Sequence, residues 1–428
     1  MLSLLLFFFS ASVRAEEIVI KQGDVLNLKT CIAIALRTQP DIAALQYESE
    51  AKASQIRQAQ KDYFPKLDLS GGYTRYQDVD RNVNDAYSTI TPAHDGYSAA
   101  ITLNQNIYDF GKREANVKIK ELTYQSSLFD LNNQQRETVN AVREAYYDVL
   151  KTIREETVNE EKVNKFEKYV EQASLFYQAG TRARYDVTKA SVDLSDARLA
   201  LITARTNVKL AREQLNAAMG VTVIFDYAIT DNLSFDAYPV SFEDALETSY
   251  RERPDLNSLV SQLTAAEKYL QLIKKDYWPR IDAQAGYSTG GSAGPLSQGW
   301  NAGVTVSANL FEGFLTQNRV EEQNAVIHKI KAKIAAQKLQ IRQDIKKAFL
   351  NLEKAEKTIT AAELQMRQAT EYLELVNLKY TAGISNPLEV TDATVSYSDA
   401  KLKHIQALYD YKKAQANIEK AMGKIHEK

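Results

Sequence analysis

Residues 112–179 and 315–382 contain neither glycine nor proline, so the chain twice runs for 68 residues without the residues that most readily end a helix. At about 1.5 Å per residue, each run makes a helix of roughly 100 Å, several times the diameter of a small domain. No single globular core can bury such an element. In the second run Ile341, Ile345, Ala348, Leu352, Ala355, Ile359, Ala362, Met366, Ala369, Leu373, Val376 and Tyr380 recur at alternating spacings of four and three. This is a coiled-coil seam held for about six heptads. The first run carries a matching line through Thr138, Val142, Ala145, Val149, Val163, Phe166, Val170, Ala173 and Tyr177, interrupted by Thr152, Glu156 and Asn159.

The two runs belong to two copies of one unit. Pro40-Asp41 and Tyr63-Phe64-Pro65 recur as Pro254-Asp255 and Tyr277-Trp278-Pro279 at an offset of 214. Asn106-Ile107-Tyr108-Asp109, Ala179-Gly180 and Ala218-Met219-Gly220 recur as Asn309-Leu310-Phe311-Glu312, Ala382-Gly383 and Ala421-Met422-Gly423 at an offset of 203. The whole difference of 11 residues therefore falls between Pro65 and Asn106. A period this long is a duplicated structural unit, not a short solenoid repeat.

Each copy opens with a short helix, roughly 27–37 and 241–251, that stops before a proline, and continues as a second helix over 41–63 and 255–277. After the aromatic-proline pair the period changes to two. Ile281, Ala283, Ala285 and Tyr287 alternate with polar or small residues, as do Trp300, Ala302, Val304, Val306, Ala308 and Leu310. Leu67, Leu69, Gly71 and Tyr73, then Tyr97, Ala99, Ile101 and Leu103, do the same in the first copy. Each copy thus holds a β-hairpin, about 66–108 and 280–310, with one apolar face. Transmembrane barrel strands and soluble half-buried hairpins share that pattern. Helical hairpins follow, about 112–220 and 315–423, each turning at Ala-Gly. The expected organisation is a first repeat over 16–220, a linker over 221–239 and a second repeat over 240–428.

Composition narrows the function. Lys plus Arg number 53 against 55 Asp plus Glu, so no net positive field invites nucleic acid. Leu2–Phe9 is an apolar block followed by Val13-Arg14-Ala15, which reads as a signal peptide over 1–15 and an exported mature chain, although no Lys or Arg precedes the block. Beyond it no stretch approaches the length of a membrane-spanning helix, so entry into a membrane would be by strands. Cys31 is the single cysteine, its counterpart is Ala245, and it reads as packing. His94, His328, His404 and His426 are scattered, with no metal, phosphate-loop or nucleophile motif, so neither an enzyme nor a cofactor or metal site is expected. Four strands per chain leave two bare edges, which hydrocarbon does not tolerate. Several chains must share one barrel.

The ordered set of duplication, aromatic-proline switches, strand-to-helix turns Ile107-Tyr108-Asp109-Phe110-Gly111 and Leu310-Phe311-Glu312-Gly313, and turns Tyr177-Gln178-Ala179-Gly180-Thr181 and Tyr380-Thr381-Ala382-Gly383-Ile384 resembles the TolC-like outer-membrane factor family. The resemblance covers essentially the whole mature chain. It implies a mostly α fold with membrane β: a homotrimer with a 12-strand β-barrel in the outer membrane, continuous with a 12-helix α-barrel in the periplasm. It also implies a passive duct of an efflux pump or type I secretion system, working with a periplasmic adaptor protein and an inner-membrane transporter in contact with outer-membrane lipid. Many relatives place proline where Asn106 and Asn309 stand, and many carry a lipidated N-terminal cysteine that this chain lacks. The alternative class, a periplasmic adaptor or structural coiled-coil protein, calls for one helical hairpin flanked by glycine-rich β domains, whereas two matched hairpins are present here.

In the family the helical turns close the periplasmic end. Glu389 and Asp392 match positions where relatives carry acidic gate residues, and Asp186 is the first-copy counterpart of Glu389. Asn386-Pro387-Leu388-Glu389 reads equally as a capped helix start with Glu389 at N3. Asp392 has Lys189 as its counterpart in the other copy, so the duplicated scaffold does not require an acid there, which favours a pore-facing role. Tyr380, Gly383, Gly180, Arg182 and Arg184 are expected at the closing and docking surface, with Tyr380 equally at home in the seam. Tyr63, Phe64, Tyr277 and Trp278 read either as an interfacial aromatic belt or as packing at the helix-strand bend.

Overall fold

The computed structural model describes residues 23–77, 79–80, 89–90, 93–222, 227–292 and 296–424. The expected signal peptide and most of the additional residues of the first hairpin lie outside them. In chain order the elements are β1 (Val25–Leu26), α1 (Leu28–Thr38), α2 (Pro40–Ala59), β2 (Lys66–Tyr76), β3 (Val79–Asp80), β4 (Thr89–Ile90), β5 (His94–Tyr108), α3 (Lys112–Gln178) and α4 (Arg184–Met219). The second half contains β6 (Ala228–Ile229), α5 (Phe242–Glu252), α6 (Pro254–Lys274), β7 (Arg280–Ser292), β8 (Ser297–Ser307), α7 (Leu315–Thr381) and α8 (Pro387–Ala421). Short 3-10 turns, Gln60–Tyr63 and Lys275–Tyr277, close α2 and α6 and deliver the chain to the strands. Both expected long helices are present, 67 residues each. The chain forms two compact units, one of residues 1–43, 134–249 and 343–428, the other of 44–133 and 250–342.

In the unit of 44–133 and 250–342, four antiparallel strands lie in the order β2-β5-β7-β8. Their register brings the apolar rows together: Leu67 opposite Leu103, Leu69 opposite Ile101 and Tyr73 opposite Tyr97 in the first hairpin, Ile281 opposite Val306 and Tyr287 opposite Trp300 in the second. A slip of one residue would send every apolar side chain to the other face. The hairpins also share one register under the sequence offsets, since Lys66 opposite Asn104 maps onto Arg280 opposite Ser307. Between them β5 pairs with β7, with a bulge at Ile107. Asn106 keeps its strand and donates from Nδ2 to Asp282 Oδ1 at 2.9 Å. Four strands were expected; the described residues add two short pairs, β3 with β4 and β1 with β6.

Each strand-to-helix turn contains two consecutive left-handed residues, Phe110 and Gly111 in the first copy, Gly313 and Phe314 in the second. An aromatic residue at positive φ is sterically costly. Phe110 is held there by stacking on Trp278 at 5.2 Å between centroids and by an edge contact with Tyr108. Asp109 caps α3 by accepting the backbone N–H groups of Gly111, Lys112 and Arg113 at 3.0–3.1 Å. A small core of Ala266, Ile327 and Ile330 joins α6 to α7.

The unit of 1–43, 134–249 and 343–428 holds the main core, in which Cys31, Ile34, Val142, Tyr146, Val149, Leu215, Ala245, Ile345, Leu352, Tyr411, Ile418 and Met422 are buried together. Every member of the second-copy seam is buried except Met366, which is half-buried. Cys31 packs as expected, and burial pushes its thiol up to about 12. The expected linker is more than a connector. Its β6 pairs in parallel with β1, Val25 opposite Ala228 and Leu26 opposite Ile229. Tyr146 and Tyr411 donate their hydroxyls to the carbonyls of Thr230 and Asp236, each at 2.5 Å, and Arg154 grips Asp231 through two bonds of 2.9 and 2.8 Å.

All four helical turns at the copies' Ala-Gly and Met-Gly pairs are Schellman caps. Thr181 N–H donates to Phe176 O, Val221 to Asn216, Ile384 to Lys379 and Lys424 to Glu419, at 2.9–3.1 Å. Gly180 and Gly383 have open space where a Cβ would stand, so only their left-handed backbone demands glycine. Gly220 is doubly constrained, because a Cβ would meet Gln39 Cα at 2.8 Å where the end of α1 docks. Accordingly Gly383→Ala is expected to cost about 1 kcal/mol, and Gly220→Ala clearly more, read as a larger fall in the urea midpoint at unchanged slope.

Candidate functional site

The turn α3-α4 and the turn α7-α8 lie in the same unit and pack together through Tyr169, Ala173, Ala190, Leu373, Val376, Tyr380, Val390 and Ala393. Tyr380, expected either in closure or in the seam, is buried, stacked on Tyr169 at 5.1 Å and edge-on to Phe176. Its first-copy counterpart Tyr177 is exposed. Neither the Tyr169 nor the Tyr380 hydroxyl has a hydrogen-bond partner among the described residues, and burial raises both phenols above their ordinary range.

The two helix starts differ. α8 is capped: Asn386 Oδ1 accepts Glu389 N–H at 2.9 Å, Pro387 occupies the first turn, and the Glu389 carboxylate accepts the Ser385 hydroxyl at 2.5 Å. The capping expectation holds for the asparagine, whereas the Glu389 side chain closes on a hydroxyl rather than on a backbone N–H. α4 begins after Ala183 with no side-chain cap, Arg184 exposed at its first position and Asp186 half-buried in its first turn. Arg182 links the copies by donating from Nη2 to the backbone carbonyl of Ser385 at 2.8 Å.

One helical turn further along, Lys189 pairs with Asp193, and Asp193 also accepts the Thr391 hydroxyl at 3.0 Å. Asp392, beside Thr391, is exposed. The counterparts Lys189 and Asp392 are therefore used differently, the lysine inside the protomer and the acid on its surface. Sequence reasoning did not single out Tyr169, Asp193 or Thr391. The usable signal was the Lys189-Asp193 spacing of four, which places opposite charges on one face of a helix.

At the strands, Tyr63, Phe64, Tyr277 and Trp278 are all exposed. The Arg113 guanidinium lies 5.1 Å over the Tyr63 ring, and Trp278 carries the Phe110 stack. Among the described residues no helix is long and apolar enough to cross a membrane.

A model of the family described as outer membrane efflux protein matches residues 31–221 and 245–424. The chain belongs to the outer membrane efflux protein family. It is an outer-membrane channel-tunnel of the efflux and secretion type. Similar proteins include the outer membrane protein TolC of Escherichia coli (strain K12), 24% identical over 94% of this chain and 83% of that protein. The alkaline protease secretion protein AprF of Pseudomonas aeruginosa is 23% identical over 92% of this chain and 84% of that one. Among solved structures, the outer-membrane channel OprN superposes with a TM-score of 0.80 at 16% identity, covering 92% of this chain and 89% of that chain. These likenesses point to efflux or secretion pump assemblies.

The buried tyrosine pair yields a test. Below pH 10, the ordinary phenol value, both states of the chain hold these protons. Above it the unfolded chain loses them first, so stability falls as pH rises beyond about 10. Tyr169→Phe, which removes a buried hydroxyl lacking a partner, is expected to be neutral or stabilising and to blunt that loss. Tyr380→Ala is expected to cost about 3 kcal/mol through the cavity it leaves. Thermal unfolding across the pH range reads all three.

Proposed function

We propose that three copies of this chain form one duct, a β-barrel of their twelve long strands in the outer membrane and a barrel of their helices in the periplasm. The observation that carries this reading is a four-stranded sheet with one apolar face and two edges, β2 and β8, that are bare among the described residues. Leu67, Leu69, Trp300, Val304 and Val306 stand exposed on that face, as lipid-facing residues do. The opposite rows, including Ser70, Gly72, Thr102, Gln284, Gly303 and Thr305, are small or polar and suit a water-filled lumen. Tyr63, Phe64, Tyr277 and Trp278 then sit at the membrane interface as an aromatic belt.

The α3-α4 and α7-α8 turns form the periplasmic mouth. Asp392, with Glu389 and Asp186 nearby in sequence register, supplies carboxylates that a threefold assembly repeats around the axis, a cation-attracting constriction. Asp392 is favoured because it is exposed and has no ion pair or hydrogen bond among the described residues. Gly180, Gly383, Arg182 and Arg184 shape the surface that docks a periplasmic adaptor, itself coupled to an inner-membrane transporter that provides the energy, while the buried Tyr380 packs the two turns against each other. The cargo is small molecules or proteins. The chain supplies a conduit and no catalysis.

Purified protein in a planar bilayer is expected to give cation-selective conductance that divalent cations block from the mouth side. Asp392→Ala is expected to weaken the block by roughly tenfold, the scale for removing several unit charges from a narrow site. A verified trimer that conducts nothing, even with its turns opened by mutation, would contradict the duct.

A further inference from the structure

We propose that the bare edges β8 and β2 of neighbouring copies pair in one defined register, Val306 opposite Gly71 and Ser307 opposite Ser70 of the next copy, with an Asn309–Asp68 hydrogen bond across the seam. The proposal rests on the trimer of the preceding subsection and specifies how its copies join.

The duplication determines the register. Strand β5 maps onto β8 at the offset of 203 and β7 maps onto β2 at the offset of 214, and both hairpins keep the same internal register under those offsets. The pairing of β5 with β7 inside the chain is thus a direct template for β8 with β2 between chains. Leu103 opposite Ala285 becomes Val306 opposite Gly71, Ile101 opposite Tyr287 becomes Val304 opposite Tyr73, and Asn104 opposite Gln284 becomes Ser307 opposite Ser70. The transferred register keeps apolar rows beside apolar rows and polar beside polar, which was not imposed on it. A head-to-tail contact repeated this way closes a ring when its rotation does.

The chemistry at the base of the strands transfers as well. Asn106 donates to Asp282 inside the chain, and their counterparts are Asn309 and Asp68, again an amide and a carboxylate. Within one copy these two turn elsewhere, Asn309 to Glu312 and Asp68 to Lys66. Strand β5 runs to Tyr108 on the support of β7, whereas β8 ends at Ser307 and leaves Leu310 96% and Phe311 75% exposed. Leu310 is the counterpart of the bulged Ile107, and Phe311 would meet Leu67 as Tyr108 meets Ile281. Lys275 Nζ donates to the Gly111 carbonyl at 2.9 Å, and the equivalent reach is from Lys61 to the Phe314 carbonyl of the neighbour. The aromatic stack does not transfer, because Phe110 corresponds to Gly313. The seam between copies therefore depends on strand pairing and the polar pair.

Cysteine pairs test the register in a Cys31→Ala background, alanine being the residue at the equivalent Ala245. Ser70 and Ser307 lie on opposite edges of one four-stranded sheet, roughly 14 Å apart across the three strand spacings and further separated along the strands because Ser70 lies in the row of Ala100, Ser288 and Gly299, well beyond the ~7 Å limit for a disulfide. A bond between them forms only between copies. With assembly checked first by native mass spectrometry, S70C/S307C is expected to give a covalent trimer under oxidation, while the slipped pairs S70C/T305C and S70C/N309C do not. A trimer in which a slipped pair links instead, or in which S70C/S307C fails to link, overturns the register and leaves the trimer standing. Failure to find any trimer overturns the assembly reading itself. As a second readout, Asp68→Ala and Asn309→Ala are expected to lower the trimer dissociation temperature by similar amounts, with the double variant no worse than either. Additive losses would contradict the polar pair.

Discussion

The backbone groups along β2 and β8 are the constraint on which the rest depends. Each edge strand presents N–H and C=O groups with no second strand beside them among the described residues. In water such an edge is a liability; in hydrocarbon each unsatisfied group costs several kcal/mol. A four-stranded sheet with an apolar face has no stable home in a membrane until those edges are occupied. In the proposed trimer the chain encodes a third of a wall rather than a wall. Its duplication makes sense in the same terms, because one internal strand-pairing solution, β5 with β7, would serve again between neighbouring protomers of the proposed trimer.

The same economy explains where the copies diverge. Scaffold positions repeat: four Schellman caps, two proline-stopped short helices, two left-handed strand-to-helix turns. The two helical turns proposed as the mouth do not repeat. The second copy has a capped, proline-initiated α8 with Tyr380 buried and Asp392 in solvent, and the first has an uncapped α4 with Tyr177 exposed and Lys189 tied to Asp193. In the proposed trimer a scaffold close to sixfold thus ends in a threefold arrangement of charge. Arg182 holding the Ser385 carbonyl joins the unlike turns inside one protomer, so in the proposed duct any opening at these turns must either break that bond or move both turns together.

Much of this was legible in the residues because it follows from periodicity. The seam from Ile341 to Tyr380 is buried nearly throughout, and the alternating rows of both hairpins pair apolar with apolar. What periodicity could not show is structure made by side chains gripping aperiodic backbone. Residues 227–238 have no amphipathic pattern, yet Tyr146, Arg154, Arg212 and Tyr411 hold their carbonyls and a carboxylate from sites far away in sequence. The two-residue strands β1 and β6 are too short for any pattern. Tyr169 was invisible for another reason: it lies off the seam line and matters only because Tyr380 of the other copy stacks on it.

Hydrogen exchange of the membrane-inserted protein, resolved to single strands, tests the central claim most directly. If copies of the chain close the sheet, amides of β2 and β8 are expected to exchange as slowly as those of β5 and β7, which are paired on both sides already. Fast exchange along β2 and β8, with β5 and β7 protected, would show the edges open and contradict the shared barrel.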